Sequence, residues 1–246
     1  GSNSHNITDA WVIINNEVVG TFELPETFPV LEKKQPSIVI RPGIKDNGIS
    51  NTRAPYPFYK TVSIDSLNLE AKKVDSLNLL TTEYVDQTQF AWLEDFEDTT
   101  DLVLENTSNS TVPFEITSNE NEVFEGEQSL KATIRQKRGL FEVKARDPYI
   151  KEFDEPGKVY LEANFKTDIE IGTGIFAYRT SSSEQYTKAF MNKSPNEWKK
   201  IYINLTKKIN EYPDSYSFSF FLGALKKSAN PPATLYLDNL KLVYFE

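Results

Sequence analysis

The stretch that decides the fold is Val159-Tyr-Leu-Glu-Ala-Asn-Phe-Lys166. Successive side chains of a β-strand point to opposite faces, so one face of this strand would carry the apolar side chains of Val159, Leu161, Ala163 and Phe165. The same period of two recurs at residues 201–205, 216–222 and 235–238. No stretch repeats apolar residues at helical spacing for three turns without a proline or a β-branched cluster. The pattern predicts an all-β chain built around an antiparallel sandwich.

The N-terminal part contains shorter segments whose composition is typical of strands. The segments Trp11-Val-Ile-Ile14 and Glu17-Val-Val-Gly-Thr-Phe-Glu-Leu24 flank Asn15-Asn16. Asparagine tolerates the positive φ of a tight turn, so these segments predict a hairpin. A short repeat follows, in which Ile64-Asp-Ser-Leu-Asn-Leu69 recurs as Val74-Asp-Ser-Leu-Asn-Leu79. We interpret the repeat as two adjacent strands.

Beyond residues 81–95, apolar and polar residues alternate more regularly. This change indicates a domain boundary near residues 87–89. We therefore predict a small N-terminal β domain over residues 1–88, an immunoglobulin-like or open sandwich. A second domain would occupy residues 89–246.

Composition excludes several kinds of chemistry. The 246 residues include 27 Lys and Arg against 36 Asp and Glu, for a formal net charge of −9. Nucleic acid is therefore not an expected partner, and anionic polymers in general are expected to bind poorly. The absence of cysteine excludes disulfides, thiolate zinc sites and cysteine nucleophiles, and a single histidine, His5, excludes a multi-histidine metal centre. No apolar run approaches the roughly 18 residues of a membrane span.

Four motifs follow one another over residues 90–246. They are Asp95-Phe-Glu-Asp98, Glu125-Gly-Glu-Gln-Ser-Leu-Lys131, Glu197-Trp-Lys-Lys-Ile201 and Leu235-Tyr-Leu-Asp-Asn-Leu-Lys-Leu242. In this order they resemble the opening strand, a turn, an inner strand and the closing strand of the carbohydrate-binding modules attached to secreted bacterial glycoside hydrolases. The resemblance covers about two thirds of the chain. It implies a β-jelly-roll, galactose-binding-like domain.

The resemblance also implies one structural calcium ion between the first and last strands. Glu97 in the opening motif and Asp238 in the closing motif match the positions of the family's ligands. Calcium takes six to eight oxygen ligands, so backbone carbonyls and water would have to complete the site. The alternative interpretation is that both acids are solvated charges at strand ends.

Sugar binding would place aromatic rings against the sugar faces and polar groups against the hydroxyls. On two predicted adjacent strands and one neighbouring strand, the candidate ligand-binding residues are Tyr178, Arg179, Tyr186, Glu162 and Asn164. A regular strand points Tyr178 and Arg179 to opposite faces, so a shared site would need a bulge. For each aromatic residue, packing within the sheet is the alternative.

Two features belong to the N-terminal half. The segment Tyr56-Pro-Phe-Tyr59 predicts either an exposed aromatic docking strip or a segment packed against the neighbouring domain. The stretches 11–25 and 41–49 resemble the small β-domains at the start of surface lipoproteins of Gram-negative gut-type bacteria. That resemblance implies a lipid anchor on a removed N-terminus and a position outside the cytoplasm, on the cell surface or the outer membrane.

No enzyme is predicted, because neighbouring acids on a strand face apart and no long loop would enclose a substrate. The predicted function is non-catalytic recognition of a glycan or another cell-surface ligand through the jelly roll, outside the cytoplasm. The alternative is a structural or adhesion accessory lipoprotein that binds a protein partner through the N-terminal domain.

Overall fold

The computed structural model describes residues 4–32, 35–77, 81–150 and 157–245. These residues confirm the all-β class, since they form seventeen strands and one short helix, α1 (Thr206–Asn210). The strands are, in chain order, β1 (Asp9–Ile14), β2 (Glu17–Glu23), β3 (Ile38–Lys45), β4 (Arg53–Pro55), β5 (Val62–Ile64), β6 (Gln89–Glu94), β7 (Leu104–Asn106), β8 (Glu115–Thr117), β9 (Ser129–Ile134), β10 (Leu140–Ala145), β11 (Tyr149–Ile150), β12 (Val159–Thr167), β13 (Ile171–Arg179), β14 (Ser182–Met191), β15 (Ser194–Asn204), β16 (Ser217–Leu225) and β17 (Ala233–Tyr244). Across those ranges, no helix has the length and apolar character to cross a membrane.

The chain divides into two compact units between residues 88 and 89. One unit is Asn6–Thr88, and the other is Gln89–Glu246 together with the first residues of the chain. Within the second unit, Ser4 Oγ donates a hydrogen bond to Asn164 Oδ1 at 3.2 Å.

The N-terminal unit contains a single antiparallel sheet in its described residues, with strand order β2-β1-β3-β4 and β5 beside β3. The β1–β2 hairpin is present, and Asn15 and Asn16 take the positive φ values of 49° and 67° that its turn requires. Loop side chains, rather than a second sheet, cover the apolar face of β1. Phe28 takes part in that cover and stacks on Phe22 with ring centroids 4.1 Å apart.

The internal repeat does not form two adjacent strands. Its first copy contributes only Ile64, the last residue of β5, and residues 65–77 contain no strand. The end of the second copy, residues 78–80, lies outside the described residues. Asp, Ser and Asn side chains compete for backbone hydrogen bonds, which favours turns over ladders. Leu67 instead donates its amide to Pro36 O and packs on the N-terminal core.

The aromatic segment at residues 56–59 is not an exposed docking strip. Tyr56, Phe58 and Tyr59 are 2%, 0% and 9% exposed. Within its own unit, the Tyr59 ring packs edge-on against Tyr56 and lies 5.3 Å from Tyr84. The prolines therefore hold these rings in a buried cluster.

The C-terminal unit is a jelly roll made of two sheets. One has the order β14-β13-β16-β10-β7, with β11 beside β16, and the other has the order β15-β12-β17-β9-β8, with β6 beside β17. The alternation read from β12 is confirmed, because Val159, Leu161, Ala163 and Phe165 all enter the buried core. Side chains of opposite parity on each strand lie on the outer faces of the two sheets.

Candidate functional site

The structure separates the five side chains predicted to bind ligand. Tyr178 lies on the outer face of the sheet that contains β13, since its neighbour Ala177 belongs to the core. Arg179 is the next residue of the strand and therefore points to the opposite face from Tyr178. Its Nη1 forms an ion pair with Glu184 Oε1 at 2.9 Å. Tyr186 faces Ile175 across the strand pair, packs against the core and stacks on Tyr212 with centroids 4.2 Å apart.

Glu162 and Asn164 do not neighbour these strands. Both belong to β12, in the other sheet of the sandwich. Glu162 is fully buried and its Oε2 lies 2.7 Å from Lys200 Nζ, while Asn164 is 2% exposed. Strand alternation predicted the parity of these residues correctly, but it does not say which strands become neighbours. Of the five residues, the structure therefore leaves Tyr178 alone on this outer face.

The outer face of the sheet that contains β13 carries two glycines on adjacent strands, which we call the glycine floor. Gly172 of β13 lies opposite Gly223 of β16, and Gly223 lies opposite Glu142 of β10. A Cβ atom on Gly172 would be 3.3 Å from Cε1 of Phe190, which places the Phe190 ring over this glycine. Phe190 is nevertheless 54% exposed. The two glycines thus let the Phe190 ring and the Glu142 side chain lie close to the backbone of the sheet.

Polar side chains meet above the same floor. Glu142 is only 6% exposed, and its Oε1 accepts a hydrogen bond from Thr107 Oγ1 at 2.7 Å. Its Oε2 accepts another from Gln185 Nε2, also at 2.7 Å. Gln185 belongs to β14, and both β13 and β16 lie between β14 and β10. Because adjacent strands are about 4.8 Å apart, these side chains meet only if the sheet curves toward this face.

The curved face is therefore a groove, which we define by Gly172, Gly223, Phe190, Glu142 and Gln185. Two hydrogen bonds fix the Glu142 carboxylate at its side, so the acceptor is held in place before any ligand arrives. The exposed ring and the held carboxylate together offer an apolar surface next to a fixed polar group.

Tyr178 lies on the same face, farther along β13. Its hydroxyl is 3.5 Å from Lys144 Nζ, which also lies 3.3 Å from Glu105 Oε1. Burial disfavours the charge on Lys144, but Tyr178 and Glu105 outweigh it, so the pKa of Lys144 is raised. Between this cluster and the floor, the rings of Phe176 and Phe221 pack with centroids 5.4 Å apart.

Sequence reasoning missed most of the groove. One available signal is Gly172-Thr-Gly174 inside a predicted strand, since glycine in a strand interior often marks a bulge or a close approach. Gly174 does lie at a register shift between β13 and β14. Glu142 and Gln185 had no comparable signal, because they are 43 residues apart and meet only through the curvature of the sheet.

The predicted calcium ligands both bind one turn, residues 124–129. Asp238 is fully buried, and its Oδ2 accepts hydrogen bonds from Ser129 Oγ at 2.6 Å and from the amides of Phe124 and Glu125 at 3.3 Å. Its Oδ1 accepts the amide of Asn239 at 2.7 Å. Four protein donors therefore converge on this carboxylate.

Glu97 binds the other side of the same turn. Its Oε1 accepts the amides of Glu127 and Gln128 at 2.9 and 3.1 Å, next to Gly126, whose φ is +73°. In the part of the chain that the structure describes, no three acidic or histidine side chains are grouped to hold a metal ion. Amide donors already satisfy the oxygens that a cation would need, so the donor set does not fit a calcium site made by side chains. The calcium ion stays a prediction.

A cleft of about 310 Å³ borders Glu97. Its lining includes Glu94, Glu125, Asn239 and Lys241. Burial raises the pKa of the Glu94 carboxyl, against the opposing effect of amide hydrogen bonds from Phe96 and Val103, and burial lowers the pKa of Lys241. Asp238 does not line this cleft, so the two predicted ligands lie on different sides of the turn.

The protonation of Asp238 makes the stability of the C-terminal unit depend on pH. Burial raises the pKa of Asp238 to about 6, even though Ser129 and the amides favour the ionised form. The native state then holds this proton more tightly than the unfolded chain, where the pKa is near 3.8. We expect the Asp238 contribution to the free energy of unfolding to fall by about 3 kcal/mol as pH rises from about 3 to 7.

Urea unfolding of the wild type and of Asp238→Asn across this pH range measures that contribution, because the amide does not titrate. A bound cation would favour the ionised carboxylate and lower its pKa. A difference curve that rises with pH in added Ca²⁺ would therefore support the calcium ion and contradict pinning by amides alone.

The fold of this chain is similar to that of several solved carbohydrate-binding modules. The CBM22-2 xylan-binding domain of Xyn10C from Paenibacillus barcinonensis matches 63% of this chain and 99% of its own, with 15% identity and a TM-score of 0.46. The family 11 carbohydrate-binding module of Clostridium thermocellum, solved with a β-1,3-1,4-mixed-linked tetrasaccharide, matches 61% of this chain and 94% of its own, with 11% identity and a TM-score of 0.41.

A third structure, from work on the promiscuous specificity of carbohydrate-binding modules of the β-sandwich superfamily, matches 98% of this chain and 86% of its own. Its identity is 13% and its TM-score is 0.47. No protein-family model and no curated protein sequence matches this chain. By its own geometry, the C-terminal unit is a β-jelly roll with a glycine-floored groove on one sheet.

Proposed function

We propose that this protein is a non-catalytic glycan-binding protein and that the sugar lies in the groove of the C-terminal unit. The observation that carries the proposal is the exposed Phe190 ring over Gly172, next to the hydrogen-bonded Glu142 and Gln185 side chains. A sugar ring has apolar C–H faces and a polar rim of hydroxyls. It therefore matches an aromatic face flanked by a fixed carboxylate and amide.

The glycine floor supports the same proposal. With no Cβ on Gly172, the Phe190 ring can lie against the backbone of the sheet and still be half exposed to a ligand. Glu142 would accept hydrogen bonds from hydroxyls while staying anchored to Thr107. Because the polar groups are already held in place, little side-chain entropy is lost on binding.

The test is affinity gel electrophoresis against soluble plant and microbial polysaccharides, with the wild type and Phe190→Ala. We expect Phe190→Ala to weaken binding about tenfold, since it removes the stacking surface. The matched control is Tyr216→Ala, which removes an equally exposed aromatic residue (58%) from outside the groove.

Two results would contradict the proposal: wild-type mobility unchanged by every polysaccharide, or equal weakening by Phe190→Ala and Tyr216→Ala. Release of reducing ends from a bound polysaccharide would contradict its non-catalytic part.

We also propose a position outside the cytoplasm, on the cell or outer-membrane surface, with a lipid anchor upstream. The support is the sequence resemblance of the N-terminal stretches to surface lipoproteins. Digestion of the native protein by protease added to intact cells tests this location. The alternative function, an adhesion accessory protein that binds a protein through its N-terminal unit, is favoured if no polysaccharide binds.

A further inference from the structure

A cluster of positive charge lies at one end of the jelly roll. Four exposed cations, which we call the basic rim, come from the β9–β10 loop and from the residues after β16: Arg135, Lys137, Arg138 and Lys227. The two segments lie side by side, because Arg138 donates its amide to Lys226 O at 2.8 Å and Lys226 donates its own to Gly139 O at 3.0 Å. Residues far apart in sequence thus form one basic surface.

No acidic side chain of the described residues pairs with the basic rim. None of its four side chains makes an ion pair with any residue that the structure describes. On the neighbouring strand ends, Asp168 uses its Oδ2 to accept the amide of Thr234 at 3.1 Å. In a chain with 36 acidic residues and a net charge of −9, four exposed cations that form no ion pair within the described ranges make the local electrostatic potential positive.

The basic rim borders the groove. Leu140 and Leu225 are paired, and two residues farther along the same strands lie Glu142 and Gly223 of the groove. Two residues of a strand span about 7 Å. Arg138 precedes Leu140 by two residues, and Lys227 follows Leu225 by two. A polymer in the groove that extends past Leu225 would therefore meet the basic rim.

We propose that the ligand is an anionic polysaccharide, with sugar rings in the groove and carboxylate or sulfate groups on the basic rim. This inference rests on the glycan-binding function proposed above and specifies its ligand. Arginine binds carboxylates and sulfates through paired N–H donors, and lysine adds charge. The rim is continuous with a groove suited to sugar rings, which favours an acidic glycan over other polyanions. The overall negative charge repels polyanions that make no such local contact.

The experiment compares each acidic polysaccharide with a neutral counterpart of the same backbone. The probes are polygalacturonate with its methyl ester, dextran sulfate with dextran, and carboxymethylcellulose with hydroxyethylcellulose. The proteins are the wild type, Arg138→Glu/Lys227→Glu, Phe190→Ala and a charge-matched control. The control is Lys158→Glu/Lys207→Glu, which changes two exposed lysines by the same net charge at the start of β12, the opposite end of the same jelly roll.

We expect at least one acidic probe to bind about tenfold or more tightly than its neutral counterpart at low salt, and this advantage to shrink as salt rises. Arg138→Glu/Lys227→Glu should abolish the advantage, and the control should retain it. Phe190→Ala should weaken the acidic and neutral members alike. Unchanged thermal unfolding of the variants shows that folding is intact.

The failures are distinguishable. If acidic and neutral probes bind equally, or if the rim variant behaves like the control, the inference is overturned while the glycan-binding function stands. If no polysaccharide binds, both fall. Binding only to phosphatidylglycerol vesicles or to DNA, reduced in the rim variant, would also overturn both and would identify a different polyanion as the ligand of the rim.

Discussion

Replacing Gly174 by alanine is expected to lower the free energy of unfolding of the C-terminal unit by about 3 kcal/mol or more. A Cβ atom on Gly174 would lie 1.9 Å from Tyr186 O and 2.9 Å from Thr187 Cα. Both are backbone atoms of the paired strand β14, so no side-chain rotation relieves the overlap. The register shift between Thr173 and Gly174 brings the two strands this close.

Thermal unfolding of purified Gly174→Ala measures the effect, with a drop of about 6–12 °C expected for a domain of this size. The control is Gly223→Ala on the adjacent strand β16. There the nearest atom to a new Cβ is Phe141 O at 3.4 Å, an ordinary contact, so we expect a loss below about 1 kcal/mol. Equal stability of Gly174→Ala and the wild type would mean that β13 and β14 do not pair in this register.

The behaviour of Gly174 illustrates what the sequence predicts and what it does not. Period-two patterning identified strands such as β12 and placed Leu161 and Phe165 in the core, because alternation is a local property of the chain. It also separated Tyr178 from Arg179. Pairing partners, register shifts and sheet curvature depend on contacts between distant segments, and no local pattern records them.

The groove shows the same limit. In the sequence, nothing distinguishes Glu142 from the other acidic residues. Phe190, likewise, is not distinguished from the other aromatic residues at strand ends. Only the curvature of the sheet brings Glu142 to Gln185, and only the missing Cβ of Gly172 lets the Phe190 ring lie against the sheet. Within the N-terminal unit, the residues 64–79 repeat failed as a strand prediction because its Asp, Ser and Asn content favours turns.

The net charge does not describe how the charges are distributed over the surface. The value of −9 predicts poor binding of anionic polymers only if the charges are evenly mixed. Strand pairing places Arg138 beside Lys226 and Lys227, so the chain carries a basic surface inside an acidic total. The distribution of charge is a property of the fold, whereas the total is a property of the composition.

The motifs at residues 125–131 and 235–242 located the Asp238 turn correctly, but they did not say what the carboxylate binds. Replacing Asp238 by alanine is expected to destabilise the C-terminal unit by about 3 kcal/mol at neutral pH. Two opposing effects decide the sign. The rise of the Asp238 pKa from 3.8 to about 6 means that the native state disfavours the ionised carboxylate by about 3 kcal/mol at neutral pH, and the substitution removes this cost. It also leaves three donors without an acceptor, the amides of Glu125 and Asn239 and the Ser129 hydroxyl, whereas the Phe124 amide keeps Ser129 Oγ as an acceptor at 3.3 Å.

We expect the cost of the unsatisfied donors to exceed the gain from removing the buried charge. Each buried donor left unsatisfied costs about 1–3 kcal/mol, so three donors cost roughly 3–9 kcal/mol before any relaxation. Asp238 is fully buried, so water does not replace the carboxylate without a local opening of the turn. Glu97→Ala provides the contrast. Glu97 is exposed, and the amides of Glu127 and Gln128 can turn to solvent, so we expect a loss below about 1 kcal/mol.

Urea unfolding of both variants, with and without Ca²⁺, distinguishes a turn pinned by amides from one pinned by a metal ion. Pinning by amides predicts a large effect at Asp238, a small one at Glu97 and the same values in chelator. A shared calcium ion predicts comparable losses at both positions and stabilisation of the wild type by added Ca²⁺, since a ligand that binds only the native state raises its stability. A more stable Asp238→Ala would mean that the burial of the charge outweighs its four hydrogen bonds, and that the carboxylate at this turn is kept for a reason other than folding.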